Sequence, residues 1–165
     1  MRRLEKTILE IGWTHAVPRL EVSDRVSRAF DAMSREVHDC VLVMQGGQLA
    51  GIFTSRDFLN RVAAVRGDPA ALVLGDVMTR MPRTLRPRDP VAFAINWMAV
   101  EGFRNVPIVD EAGEVQGVLT VWDVMRHLED IFDEIDATPR QASPVADASS
   151  PISMPIPMID LGGGS

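Results

Sequence analysis

The chain is poor in the residues that usually announce a chemistry. It has a single cysteine, Cys40, which excludes an intrachain disulfide and fits a reducing compartment. No apolar run approaches the roughly 18 residues of a membrane-spanning helix, and none resembles the apolar core of a signal peptide. Arg2 and Arg3 open the chain, but Glu5, Lys6 and Glu10 follow at once, so a cytoplasmic protein without membrane contact is expected. A basic balance is missing as well. The net charge is -6, with residues 133–165 holding five acids against one arginine, and neither part carries the positive excess of a nucleic-acid binder. Groups for catalysis are thin. His15, His38 and His127 are scattered, and the one dense cluster is His38-Asp39-Cys40. Cys40 sits in an apolar run, which makes it a buried structural thiol before it makes it a nucleophile. No metal-ligand spacing and no catalytic serine motif stands out, so neither an enzyme nor a required cofactor is expected.

What is present is a repeat. Gly51-Ile52-Phe53-Thr54-Ser55-Arg56-Asp57 returns as Gly117-Val118-Leu119-Thr120-Val121-Trp122-Asp123, and the ungapped match reaches back to Arg35 and Glu101. Upstream, the stretch from Ser23 to Phe30 aligns with Arg88 to Ile95, with one residue inserted near Val100. Ile8 to His15 is a weaker echo of Val73 to Arg80. A chain of 165 residues has room for one domain or two half-sized units sharing a core. Repetition at this period means one supersecondary unit used twice, each copy covering the other's apolar face. Function in such a module is expected in the cleft between the copies.

Each copy reads as strand, helix, strand, strand, helix. Val26, Ala29, Phe30 and Met33 recur at helical spacing with Ser23 or Asp24 as cap. Val91, Ala94, Ile95 and Met98 do the same, with Asp89 as N-cap and Pro90 in the first turn. Cys40 to Met44 and Val106 to Val109 are short apolar runs, and Gly46-Gly47 and the Asp110 to Gly113 stretch turn each into a second strand, giving two hairpins. A second helix follows each hairpin, from about Ser55 to Val65 and from about Val121 to Asp133. The expected division is an N-terminal helix near Leu4 within 1–16, a first copy over 17–66, a linker helix within 67–81 started by Asp68-Pro69, and a second copy over 82–135. Arg80, Arg83, Arg86 and Arg88 stand in this joint, either solvated or as an anion site facing the cleft. Residues 136–165 read as a disordered tail, because Pro, Ser, Ala and Asp cannot build a packed core. Within it residues 152–161 are apolar, suiting either an extended strip on the domain or a dimer mate, or a docking motif for an unknown protein partner. The closing Gly162-Gly163-Gly164-Ser165 is consistent with a native flexible end or an added one.

The repeated Gly-x-x-Thr-x-x-Asp admits two readings. In one, Thr54 with Asp57, and Thr120 with Asp123, are capping boxes, while Gly51 and Gly117 relieve crowding on the strand. In the other, the same turn offers N–H groups and a hydroxyl to a phosphate, and the Asp accepts from ribose hydroxyls. The copies resemble CBS domains, the cystathionine-β-synthase type of repeat, and the pair resembles a Bateman module. The resemblance rests on the βαββα order, on the repeated Gly-x-x-Thr-x-x-Asp, and on Gly102-Phe103-Arg104-Asn105-Val106-Pro107-Ile108-Val109-Asp110. It covers roughly residues 4–135 and implies an α/β (α+β) fold of two βαββα repeats with pseudo-two-fold symmetry, packed through their sheets.

The resemblance also implies a regulatory module, not an enzyme, that binds AMP, ADP, ATP or S-adenosylmethionine between the repeats. Asp57 and Asp123 would then hold ribose hydroxyls, Thr54 and Thr120 would face phosphate or ribose, Thr84 would meet the adenine edge and Arg104 the phosphate. Gly51, Gly117 and Val106 belong to the same motifs, and Arg56 and His38 are further candidates. Where the second copy has Arg104, Pro107 and Thr84, the first has His38, Val41 and Arg19, so the second is expected to supply the better site and one site to be occupied. The sensor is expected to be a symmetric homodimer; the competing reading is a ligand-free scaffold that also forms a homodimer, with Trp97 and Trp122 on its helices, and meets its partner through its surface and tail.

Overall fold

The computed structural model describes residues 6–36 and 38–136. The tail from residue 137, with its apolar 152–161 stretch, and Leu4 lie outside the described residues. A single helical turn, α1 (Ile8–Ile11), precedes β1 (Arg19–Glu21), α2 (Val26–Glu36) and a hairpin of β2 (Cys40–Gln45) and β3 (Gln48–Thr54). The hairpin turns on Gly46 and Gly47, with φ of 59° and 81°. Two consecutive positive φ values match the right-handed twist of the strands, and glycine takes them without steric cost. Then come α3 (Ser55–Asp57), widening into a π coil over Phe58–Ala63, and α4 (Leu74–Val77) with β4 (Thr79–Arg80). The second copy follows with α5 (Val91–Asn96), a π coil over Trp97–Glu101, β5 (Asn105–Val109), β6 (Val115–Thr120) and α6 (Val121–Asp136). Cys40 and Asn105 stand in equivalent places, opposite Thr54 and Thr120, so the second copy's extra residue lies in the β5–β6 hairpin and not near Val100. Among the described residues no helix is long and apolar enough to cross a membrane.

The first sheet runs β1-β2-β3-β4, with β1 parallel to β2 and the other pairs antiparallel. The second repeats that order in reduced form. Leu85 bridges Ile108 in parallel, β5 pairs with β6, and Thr14 bridges Val118. The second copy's first strand is therefore one bridge at Leu85. Both hairpins carry a register shift at equivalent places, between Val43 and Met44 and between Ile108 and Val109.

The segments ahead of the two copies are exchanged. Thr79 and Arg80, which lead into the second copy, pair with β3 of the first, and Thr14, which leads into the first, pairs with β6 of the second. The N–H of Leu74 donates to the Asp24 carbonyl and that of Ile8 to the Asp89 carbonyl, at 2.9 and 3.0 Å. Leu74 is accordingly buried with Val26, Val41, Phe53 and Val62, while Ile8 is buried with Val91, Val106, Leu119 and Val124. Gly51 and Gly117 permit these crossings. A Cβ on Gly51 would stand 2.7 Å from the Thr79 carbonyl oxygen, and one on Gly117, whose φ is 151°, would meet the Thr14 carbonyl and the Trp13 ring. A third apolar cluster of Val17, Leu42, Ile52, Val115 and Val118 packs the two sheets against each other. Cys40 is buried there, and loss of hydration pushes its thiol up to about 12, which fits the structural reading.

Three local expectations are corrected. The linker helix is only the turn Leu74–Val77, because Thr79 and Arg80 are drawn into strand pairing with β3. The caps of the first helices also differ. Asp24 accepts from the Glu21 N–H and the Arg28 guanidinium, and Asp89 accepts from the Arg86 N–H, so both close turns. Pro90 takes the N-cap position of α5 without a side-chain bond. The last helix continues past Asp133 to Asp136.

Candidate functional site

At the end of β3 the chain turns into α3 through a closed set of hydrogen bonds. The Thr54 hydroxyl accepts from the Asp57 N–H at 3.2 Å, and Asp57 Oδ2 accepts from the Thr54 N–H at 3.0 Å and from its hydroxyl at 2.9 Å. That is a capping box with a carboxylate in the return position. Asp57 Oδ1 accepts from the Thr79 hydroxyl at 3.1 Å and lies 3.4 Å from the Arg61 guanidinium. The exchange of segments thus brings a threonine from the entry to the second copy onto the carboxylate of the first. A carboxylate has about four lone-pair sites, so Asp57, though buried, keeps acceptor capacity on Oδ1 beyond the Thr79 bond.

Beside this carboxylate lies a cavity of about 490 Å³, within the range of small-molecule sites. The first copy contributes Asp39, Thr54, Arg56, Asp57, Asn60 and Arg61 to its wall; the entry segment contributes Thr79, Pro82 and Arg83; the second copy contributes Phe103, Arg104 and Asn105. In a chain of net charge -6, this lining holds four arginines against two aspartates. Arg83 is ion-paired with Glu101, and its guanidinium sits 5.3 Å from the Trp97 ring centre and 6.0 Å from that of Phe103. Arg61 also donates to the Val77 carbonyl at 2.9 Å. Arg56 and Arg104 have no ion-pair partner among the described residues.

The pseudo-two-fold mate keeps the cap with different charged neighbours. Asp123 Oδ2 accepts from the Thr120 N–H and hydroxyl, both at 2.8 Å, and more distantly from Thr14 at 3.4 Å. Arg126 is 3.6 Å from Oδ1. The register that carries Asp57 onto Asp123 carries Arg56 onto Trp122, Arg61 onto His127 and Asn60 onto Arg126. Strand pairing sets Arg104 in the place of Asp39, since the Val121 N–H donates to the Arg104 carbonyl as the Ser55 N–H does to that of Asp39.

Of the residues singled out in the sequence, Thr54, Arg56, Asp57 and Arg104 line this one cavity. Gly51, Val106, Gly117, Thr120, Asp123, Thr84 and His38 are not among its lining residues. Val106 is core, Gly51 and Gly117 serve the strand crossings, and Thr84 flanks the Leu85 bridge. The second copy was expected to supply the better site; this cavity joins the first copy's Thr-x-x-Asp to the second copy's Arg104. Thr79, Phe103 and Asn105 were missed, whereas Arg83 is one of the joint arginines read as either solvated or an anion site facing the cleft. Thr79 had a signal: extending the repeat upstream sets Thr14 and Thr79 in equivalent places, a matched pair of hydroxyls ahead of each copy.

A protein-family model for the CBS domain matches residues 14–64 and 74–130. The chain belongs to the CBS-domain family. The CBS pair is 32% identical, over 109 residues, to the meiotically up-regulated gene 70 protein of Schizosaccharomyces pombe, covering 66% of this chain and 15% of that protein. Among solved structures it superposes on CBSX2 of Arabidopsis thaliana in complex with AMP with a TM-score of 0.65 at 23% identity, covering 76% of this chain and 98% of that one. It also superposes on a CBS-domain pair in complex with 5′-methylthioadenosine and S-adenosylmethionine, with a TM-score of 0.67 at 20% identity and coverage of 76% and 98%. The chain spans between 15% and 52% of the length of the first curated relatives it matches.

Proposed function

We propose that this CBS pair is a regulatory module that binds an adenosine-containing nucleotide in the cavity beside Asp57 and answers by a change in repeat packing. The carrying observation is the composition of that cavity. A buried carboxylate with acceptor capacity, suited to ribose hydroxyls, shares it with guanidinium groups from both copies, suited to phosphate. The fold neighbours in complex with AMP, or with 5′-methylthioadenosine and S-adenosylmethionine, support an adenosine ligand. A ligand touching Arg56, Thr79 and Arg104 at once would join the first copy, the entry segment and the second copy. Its differential affinity for two arrangements of those parts is what would drive a response.

A melting scan against AMP, ADP, ATP and S-adenosylmethionine tests this. A ligand at one hundred times its Kd stabilises the native state by about 2.7 kcal/mol, a rise of several degrees. The rise is expected in the wild type and in Asp123→Ala, and is lost in Asp57→Ala. No rise with any of these ligands would favour the second reading, a scaffold without ligand. That reading draws on the same hydrogen bonds, since the capping boxes account for both carboxylates without one. In either reading a homodimer is proposed from the exposed strip on α6, where Trp122, Met125 and Phe132 are 67, 47 and 64% accessible. Light scattering checks it, and a monomer across the micromolar range would exclude it.

A further inference from the structure

The first sheet ends on an edge that none of the described residues pairs with. The Leu42 N–H donates to the Pro18 carbonyl, and the Val22 N–H donates to that of Met44. Residues 18, 20 and 22 therefore face β2, and Arg19 and Glu21 face away from it, because backbone groups alternate in direction along a strand. The Glu21 N–H is taken by Asp24 at 2.8 Å. What stays open on β1 is the N–H and carbonyl of Arg19 and the carbonyl of Glu21. Along that edge, between β1 and α2, lies a groove of about 420 Å³. Pro18, Leu20 and Ala32 give it an apolar lining, and three arginines outnumber its two acids. Of these, Arg19 donates to the Val115 carbonyl and Arg28 pairs with Asp24, whereas Arg35 has no ion-pair partner among the described residues. An open edge is a template for any extended chain, and native proteins cover it.

The sequence beyond the described residues holds a segment of matching pattern. Its prolines stand at 151, 155 and 157. All are odd positions, so in an extended strand the three missing N–H groups fall on one edge. The N–H groups of Ile152, Met154, Ile156, Met158 and Asp160 are intact on the other, the arrangement in which a sheet's edge strand tolerates proline. The same alternation gathers Ile152, Met154, Ile156 and Met158 on one face. Asp160 is the only charge from 151 to 161, and it suits a groove with an arginine to spare. Fifteen residues separate Asp136, where α6 ends, from Ile152. Extended, they reach up to about 50 Å, more than a domain with a radius of gyration of about 14 Å measures across. We propose that residues 152–161 add to β1 of their own chain as an outer strand. Ile156, the middle of the even-numbered run, pairs with Arg19, the apolar face fills the groove and Asp160 meets Arg35. The added strand keeps β1 from pairing with another chain.

Hydrogen exchange of the full chain, read amide by amide by NMR, decides this. The amides of Arg19 and Ile156 are expected to exchange at least about fivefold more slowly than in an unpaired extended chain, as one net backbone hydrogen bond gives. Those of Ser153 and Ile159, on the opposite edge, should exchange freely. Ile156→Pro removes a donor from the pairing edge and should abolish the protection of Arg19. Ile159→Pro, one more proline at an odd position, should leave it unchanged. Protection in β2 and β3 is read alongside and should match the wild type in both variants, which shows that each is folded. Free exchange of Arg19 in the wild type, or the same response to the two prolines, would overturn the proposal. Protection of Arg19 while residues 152–161 all exchange freely would do so too. Protection that grows with protein concentration would make a second copy the occupant and would equally overturn it.

Discussion

Asp57 and Asp123 occupy the same place in the repeat and are bonded to the same kinds of group, yet their surroundings differ, and Asp57 lines a basic cavity. The difference lies in their neighbours at Arg56 and Trp122, Arg61 and His127, and Arg104 and Asp39. The capping boxes were legible in the sequence because their spacing is local and the geometry of a helix start fixes it. Which Asp faces a cavity depends on residues nearly fifty positions away, such as Arg104, that reach it only through the fold. Cys40 shows the same logic with a simpler outcome. Burial in the inter-sheet cluster disfavours its thiolate, raising the thiol from its ordinary 9.0 to about 12. The native thiol therefore stays protonated while the unfolded one ionises above pH 9. Its contribution to stability is whole below pH 9 and is lost as pH rises from there towards about 12. A thiol-labelling assay at pH 8 should find Cys40 unreactive in the folded chain and fully reactive in denaturant. Rapid labelling without denaturant would contradict its burial.

The elements were largely readable where their periodicity is strong, as in both hairpins, α2 and α6. The failures fall where tertiary pairing overrides local preference. Asp68-Pro69 looks like a helix start, but Thr79 and Arg80 gain more by completing the edge of β3, so only one turn of helix survives. The exchange of entry segments is likewise invisible to sequence, since nothing in Ile8 to Thr14 says which copy it will cover. It makes a topological prediction. Ile8 is fully buried against β5, β6 and α6, so Ile8→Ala should cost about 2–5 kcal/mol. In hydrogen exchange the amides of Asn105–Val109 and Val115–Thr120 should lose protection before those of β2 and β3. Earlier loss in β2 and β3, the strands of the copy that Ile8 precedes, would refute the exchanged arrangement.

At the scale of the molecule, two copies that complete each other cannot easily change one cleft without disturbing the other. Under the proposed function, that would give a small pair a means of signalling without chemistry. Exchange puts Thr79 on the first copy's carboxylate and brings Arg83 into the cavity, while the α5–β5 connection presents Phe103 and Arg104 from the opposite side. Pseudo-symmetry supplies two such places and the arginine distribution singles out one. The central claim is that this one place holds an adenosine nucleotide. A crystal structure of the chain grown with AMP tests it most directly. The account predicts density between Asp57 and Arg104, with the ribose on Oδ1 of Asp57 and the phosphate against Arg56. A nucleotide seated instead beside Asp123, Trp122 and His38, with the Asp57 cavity unfilled, would contradict it.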